Sequence, residues 1–275
     1  MTRARQHHGF ALIAVLWTVA ALGLIVSAVV AAQRQEVRWV TVSRQMTQAL
    51  AVGQAATHLL ANDLLHANAK LPYTRQYAVS FANQVVAVEV MALDGLVDIN
   101  KAPRPLLVQL LITIGMLPPP EAENLAQQWV THRDAARALG GWQQPAELMA
   151  LPDMTYDTYA RLEPYLTSHS DTGSGLVDPL FAPRALLNVL SKGDGAIADQ
   201  VWMARQRGGV GVDTSRLEQS FIGTGGRKKL RLTALVDVGG DARVSVVTDL
   251  DLGRGPGKPW RVLQPSRAIS RSVDQ

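Results

Sequence analysis

Residues 9–32 read Gly-Phe-Ala-Leu-Ile-Ala-Val-Leu-Trp-Thr-Val-Ala-Ala-Leu-Gly-Leu-Ile-Val-Ser-Ala-Val-Val-Ala-Ala, and the 23 residues from Phe10 to Ala32 carry no charge. At about 1.5 Å rise per residue this run makes a helix of roughly 34 Å, enough to cross a hydrocarbon layer of about 30 Å. Arg3, Arg5 and the amino terminus stand ahead of it, whereas Arg34 behind it is balanced by Glu36. Positive charge ahead of a span holds that side in the cytoplasm, so the bulk of the chain is expected to be exported.

Three readings of this segment compete. It is a secretory signal cut after Ala31-Ala32, an uncut single-span anchor, or a span whose short leader is cut off in front of it. An ordinary signal has an apolar region of about 7 to 15 residues, shorter than this one. The combination of Arg3, Arg5, Gly9 and Phe10 resembles the junction of type IV prepilins and type II secretion pseudopilins. In those families a peptidase cuts after the glycine and leaves phenylalanine first. The resemblance implies processing between Gly9 and Phe10, with methylation of the new amine on Phe10.

Those families usually carry a glutamate five residues into the mature chain, and Ala14 occupies that place here. A carboxylate at membrane depth costs about 2.5 to 3.5 kcal/mol and persists where a partner satisfies it, usually the amino terminus of a neighbouring subunit. Its absence resembles the minor pseudopilin K, the large tip subunit with no subunit ahead of it. By itself Ala14 is equally one more apolar residue of an anchor.

Composition bounds the rest. A chain of 275 residues, 47% hydrophobic, is long enough for one large or two small cores beyond the span. It has no cysteine, hence neither disulfides nor thiolate metal sites. With Arg3 and Arg5 set aside, the remaining 25 of the 27 basic residues face 23 acidic ones. Nucleic-acid binding needs clustered positive charge, and the one tight cluster, Arg227-Lys228-Lys229, reads as a solvated turn.

Past the span, Trp39, Met46, Leu50, Leu60 and Leu64 fall at spacings that predict one stripe of an amphipathic helix running to about Leu65, with Gly53 weakening it. Residues 84–90 alternate as a strand closed by the turn Asp94-Gly95. From 96 to about 200 the pattern is helical. A leucine-rich helix follows Pro103 with Asn100 placed to cap it; others are expected at about 120–136, 145–151, 156–166 and 183–190. Strands return at 230–238, 242–252 and 260–263, turning at Gly239-Gly240-Asp241 and looping through Gly253, Gly255, Pro256 and Gly257, and residues 266–275 read as a tail. The expected fold class is α+β: a long N-terminal helix packed on a small antiparallel sheet, interrupted by a large all-α insertion. The divisions are a leader at 1–9, a transmembrane half-helix at 10–32, a first α/β part at 33–95, an insertion at 96–200, closing strands at 201–265 and a tail at 266–275.

Several motifs invite other functions. Asp98-Ile99-Asn100 before a leucine-rich helix, with Gly115 at a turn, resembles a helix-hairpin-helix, a module that offers hairpin amides to phosphate. Pro118, Pro119 and Pro120 supply no amide donors, and Asp153 stands where a second phosphate would lie. A membrane-anchored DNA-uptake protein is therefore a weaker alternative than protein contacts. An exported hydrolase is another, resting on Asp171-Thr172-Gly173-Ser174 with Asp213-Thr214-Ser215 as an imperfect second copy, or on the adjacent His169-Ser170-Asp171. Gly223-Thr224-Gly225-Gly226-Arg227-Lys228 lacks the spacing of a phosphate loop. His58, His66, His132 and His169 show no paired ligand spacing. Asp98 with Asn100, or Asp249 with Asp251, read either as part of a calcium site or as a helix cap and an outward strand face.

Leader, Phe10 start, missing glutamate, amphipathic helix, helical insertion, the wording Leu176-Val177-Asp178-Pro179 with Phe181-Ala182-Pro183-Arg184, and terminal hairpin together resemble the minor pseudopilin K of type II secretion systems. The resemblance implies a non-enzymatic assembly protein of the bacterial inner membrane, single-pass with a periplasmic body. It implies contacts with minor pseudopilins I and J through Trp39, Met46 and Leu50, processing by prepilin peptidase, no nucleic acid, and no cofactor beyond a structural calcium that such subunits can carry.

Overall fold

The computed structural model describes residues 8–66, 75–81, 83–207, 211–226, 228–239, 242–253 and 260–272, with 8–13, 25, 26, 28–41, 75, 239, 242, 265 and 268–272 described by backbone alone. The leader residues Arg3 and Arg5, Arg227 of the basic cluster, the turn residues Gly240 and Asp241, and loop residues Gly255 to Gly257 lie outside that set. The chain divides into two units, Met1–Ala49 and Leu50–Gln275.

The first unit is helical: α1 is assigned from His8 to His66 and supplies all of its described residues. Val15, Leu16, Trp17, Val19, Leu22 and Leu24 are 60–74% exposed. The hydroxyls of Thr18 and Ser27 donate to the carbonyls of Val15 and Gly23, each at 2.8 Å, so these polar groups are satisfied inside the helix. Among the described residues no helix is long and apolar enough to cross a membrane; the uncharged run Phe10 to Ala32 includes residues described by backbone alone.

In the second unit α1 buries Val52, Gly53, Ala56, Thr57, Leu60 and Ala61, spaced alternately three and one apart, one face of a 3.6-residue helix. Gly53 sits on the sheet: a methyl added there would lie 2.5 Å from Cγ2 of Val246. β1 (Arg75–Phe81) and β2 (Gln84–Ala92) form a tight hairpin in which Phe81 pairs with Gln84 and Asn83 takes a φ of 60°. The sequence reading starts this sheet at residue 84 and omits β1.

A short turn at Leu93–Gly95 leads into β3 (Val97–Asp98), α2 (Arg104–Thr113) and α3 (Pro119–Arg137), then a 3-10 turn (Pro145–Ala150), α4 (Tyr156–Leu162), β4 (Leu166–Thr167), α5 (Arg184–Leu190) and α6 (Gly195–Gln206). Prolines at 105, 119 and 120 fall in first turns, where the missing N–H has no helical partner to lose. α6, capped by Asp194 on the amides of Ala196 and Ile197, extends past the boundary expected near residue 200. The residues expected at 163–166 form a turn and then β4, which pairs in parallel with β3. The insertion holds the main core: Leu106, Leu107, Leu110 and Leu111 of α2 join Leu125 and Trp129 of α3 and Leu186, Leu187 and Leu190 of α5. Trp129 Nε1 donates to the Ile99 carbonyl at 3.0 Å, so burying the indole leaves no unpaired donor.

β5 (Lys229–Gly239), β6 (Ala242–Asp251) and β7 (Arg261–Ser272) complete a five-stranded antiparallel sheet of order β1-β2-β5-β6-β7. β7 continues through residues 266–272, which the sequence reading takes as a tail. Mixed helix and antiparallel sheet make the fold α+β.

Candidate functional site

Two regions carry the residues singled out above. The first is α1. The backbones of Gly9 and Phe10 lie in its first turn, Ala14 is exposed, and Trp39 is placed on it by backbone alone. Met46 and Leu50 are each half-buried and Val42 is 51% exposed. Leu60, read into the same stripe, is buried in the body's own core. The buried face of α1 combines Val52, Thr57 and Leu60 with the small residues Gly53, Ala56 and Ala61, and a search for large apolar side chains passes over the small ones.

The second region is the joint between sheet and insertion, where buried polar side chains gather. Arg231 on β5 forms two 2.8 Å hydrogen bonds to Asp249 on β6, with the two side chains 4% and 1% exposed. The same guanidinium donates to the Leu166 carbonyl at 3.2 Å and reaches the Pro164 carbonyl at 3.5 Å. Asp249 is therefore a buried ion-pair partner, not the outward strand residue or calcium ligand of the sequence reading.

Asp94, just after β2, accepts the Asp171 amide at 2.7 Å and the Ser170 hydroxyl at 3.3 Å. Gly225 passes so close to the Asp94 carboxylate that any β-carbon would collide with it. Asp178 receives the Leu180 amide at 3.0 Å, and its own amide donates to the Asp94 carbonyl at 2.8 Å. Asp98 accepts the amides of Asn100 at 2.8 Å and Ser170 at 3.1 Å, with Lys101 Nζ at 3.7 Å. Burial raises the Asp98 carboxyl above its ordinary value against those donors. Asn100 does not cap α2, whose N-cap position is Pro103. Its side-chain amide clasps the Trp142 backbone, Nδ2 to O at 2.7 Å and Oδ1 from N at 2.9 Å, which ties two loops of the insertion. Among the described residues no group of three His, Asp or Glu is placed to hold a metal.

The catalytic look-alikes are dispersed by their partners. Asp171 pairs with Lys229 at 2.7 Å. Asp213, exposed, accepts the Ser215 amide at 2.9 Å. His169 Nδ1 meets Ser168 Oγ at 2.8 Å, whereas Ser170 Oγ lies 2.7 Å from Thr172 Oγ1, so the three consecutive residues point to different partners. Burial pushes the His169 imidazole below its ordinary value; Lys229 and Arg261 add to the effect while Asp249 and Asp98 oppose it.

The hairpin-like turns spend their amides inside the fold. Gly115 N and Leu117 N donate to the carbonyls of Leu110 and Leu111, and Arg161 closes on the Gly115 carbonyl at 3.1 Å. Asp153 in the second turn accepts from Asn124 and Gln128 of α3. A groove of about 490 Å³ beside α2 is lined by Arg104, Val108, Glu123, Lys192, Glu218 and Phe221. Glu218 there is held at about 2 by Lys192, with Ser220 contributing. These arrangements bind chain to chain. Comparison of the sequence with family models and with curated proteins returned no match.

Proposed function

We propose that this chain is a minor pseudopilin of the K type, cut between Gly9 and Phe10, moored in the inner membrane by the first half of α1, and placed at the tip of a type II secretion pseudopilus. One observation carries the reading: Val15, Leu16, Trp17, Val19, Leu22 and Leu24 are 60–74% exposed on an unbroken helix. In water such a row is a costly apolar surface; in lipid it is solvated, and the internal bonding of Thr18 and Ser27 is what a lipid-facing hydroxyl requires. The other half of α1 seated on an antiparallel sheet supports a pilin-like body, and the helical insertion supports the K type within it.

Function then rests on packing. Ala14 brings no carboxylate into the membrane, so the subunit needs no neighbour ahead of it. Trp39, Met46 and Leu50 meet the helices of minor pseudopilins I and J, and the three together start the fibre that pushes folded cargo outward. The polar joint keeps the insertion fixed on the sheet while the fibre pushes.

The test is the native protein in its membrane. Material resistant to carbonate extraction, beginning at Phe10 by intact mass and co-purifying with I and J, supports the reading. Native product free in solution and lacking residues 10–32 overturns it.

A further inference from the structure

The groove of about 490 Å³ beside α2 has the size of a ligand site. Its floor is apolar: Val108 of α2 is half-buried, Phe221 is 4% exposed, and both pack on the core of the insertion. Four charged side chains line it, and two of them are spent on each other, Lys192 closing on Glu218. Lys192 holds this place at a φ of 56°, a left-handed conformation that glycine would adopt without strain. That wall is thereby neutral. The other two, Arg104 and Glu123, are exposed, and their side chains take no ion-pair or hydrogen-bond partner among the described residues. They also stand apart. Arg133 Nη1 donates to the Ala102 carbonyl at 2.7 Å, which sets the end of α3 beside the start of α2. Glu123, ten residues earlier on α3, therefore lies toward the opposite end of α2 from Arg104.

We propose that this groove binds an extended peptide segment of another protein, one that carries an acidic and a basic side chain on either side of apolar residues. The acid meets Arg104, the base meets Glu123, and the apolar residues cover Val108 and Phe221. A polyanion such as nucleic acid needs a cationic track, and half of the charge here is acidic. Arg104, Pro105 and Glu123 are exposed, so the groove stays open to solvent and would bury little of a free amino acid; a chain that continues past both ends covers the floor. The peptide backbone finds partners too. Gln109 gives an N–H to Thr113 at 2.9 Å and keeps its carbonyl oxygen for a peptide N–H, and Ser220 Oγ, donating to Glu218 at 2.7 Å, retains acceptor capacity. Each solvated ion pair is worth at most about fivefold in affinity, so the binding is weak and its selectivity rests on the signs of the two flanking charges. This inference is independent of the fibre reading; it asks only for the folded insertion.

The test titrates the full chain in lipid nanodiscs with capped, fluorescein-labelled peptides. The probe is Gly-Glu-Leu-Leu-Lys-Gly, compared with a neutral form that has glutamine at both charged positions and a polar form that has serine for both leucines. Saturable binding of the first, severalfold tighter than of the other two, is expected. Arg104→Glu should then prefer Gly-Lys-Leu-Leu-Lys-Gly, and Glu123→Lys should prefer Gly-Glu-Leu-Leu-Glu-Gly; both side chains are exposed, so both variants should fold as the parent does. No binding of the first peptide to the parent, or variants that keep the parent's order of preference, overturns the proposal. Free glutamate or lysine binding as tightly as the peptide would make the occupant a small molecule and overturns it as well.

Discussion

Arg231 and Asp249 stand directly opposite each other in the β5–β6 register, and their side chains close two 2.8 Å hydrogen bonds with almost no exposure to water. Because the same guanidinium also holds the Leu166 carbonyl, one residue of the sheet fixes the start of β4 within the insertion. A buried ion pair is weak evidence of net stability, since each charge loses its hydration; removing one partner leaves the other stranded.

The pair therefore predicts an asymmetry between single and double variants. Asp249→Asn or Arg231→Met alone should lower unfolding free energy by about 3 to 5 kcal/mol, whereas Arg231→Met with Asp249→Leu should recover much of that loss. Urea unfolding of the three variants measures it. Additive losses in the double variant would show that the two side chains are not coupled.

Gly53 predicts a second coupling. Alanine inside a helix is worth about 0.5 to 1 kcal/mol over glycine, but overpacking a filled core costs about 1 to 3 kcal/mol. With Val246 Cγ2 only 2.5 Å from the added carbon, the cost outweighs the gain, so Gly53→Ala should destabilise. Val246→Ala removes the obstacle, and Gly53→Ala should be milder or favourable in that background. A thermal-unfolding cycle over the four proteins tests this; the same penalty in both backgrounds would place the strain elsewhere.

These two contacts mark what the sequence disclosed and what it withheld. Periodicity places the helix ending near residue 65, the strand at 84–90 and the hairpin at 230–252, because each is long, alternating or closed by a glycine turn. β1 passes unnoticed because Arg-Gln-Tyr-Ala-Val-Ser-Phe is half polar and short, and only its register with β2 makes it a strand. Gly53 reads as a flaw in a helix until Val246 is seen beneath it. Asp249 looks like an outward residue because strand alternation cannot show that the insertion covers that face of the sheet, and Asn100 looks like a cap because its partner, Trp142, is 42 residues away.

His169 predicts a pH dependence. Its imidazole lies among Asp98, Asp249, Lys229 and Arg261, with Ser168 on Nδ1, and burial holds its folded value below the ordinary 6.5. Above pH 6.5 both folded and unfolded chains hold it neutral, and it contributes no slope. As pH falls through 6.5 the unfolded chain takes up a proton that the folded one refuses, so stability declines down to the lowered folded value. Asp98, whose folded value is raised above 3.8, acts with the opposite slope between 3.8 and that raised value. Comparing His169→Gln with the parent isolates the histidine: the variant should lose less stability on passing from pH 7 to 5. Parallel melting-temperature profiles would remove His169 as the source.

Asp171 separates assembly from catalysis. Its carboxylate lies 2.7 Å from Lys229 Nζ, with the two side chains 27% and 19% exposed. Its amide serves Asp94 and does not depend on the side chain. Asp171→Asn keeps the shape and the backbone bond and loses the charge, so a partly solvated pair of this kind should cost about 1 kcal/mol or less. An aspartic peptidase could not survive that change, since its chemistry needs ionised and protonated carboxylates sharing a site. Secretion by cells carrying Asp171→Asn should equal that of the parent, measured as cargo in the medium against cargo retained in the periplasm. Loss of secretion from a variant that folds, reaches the membrane and is cut after Gly9 would assign Asp171 a chemical role and displace the assembly reading.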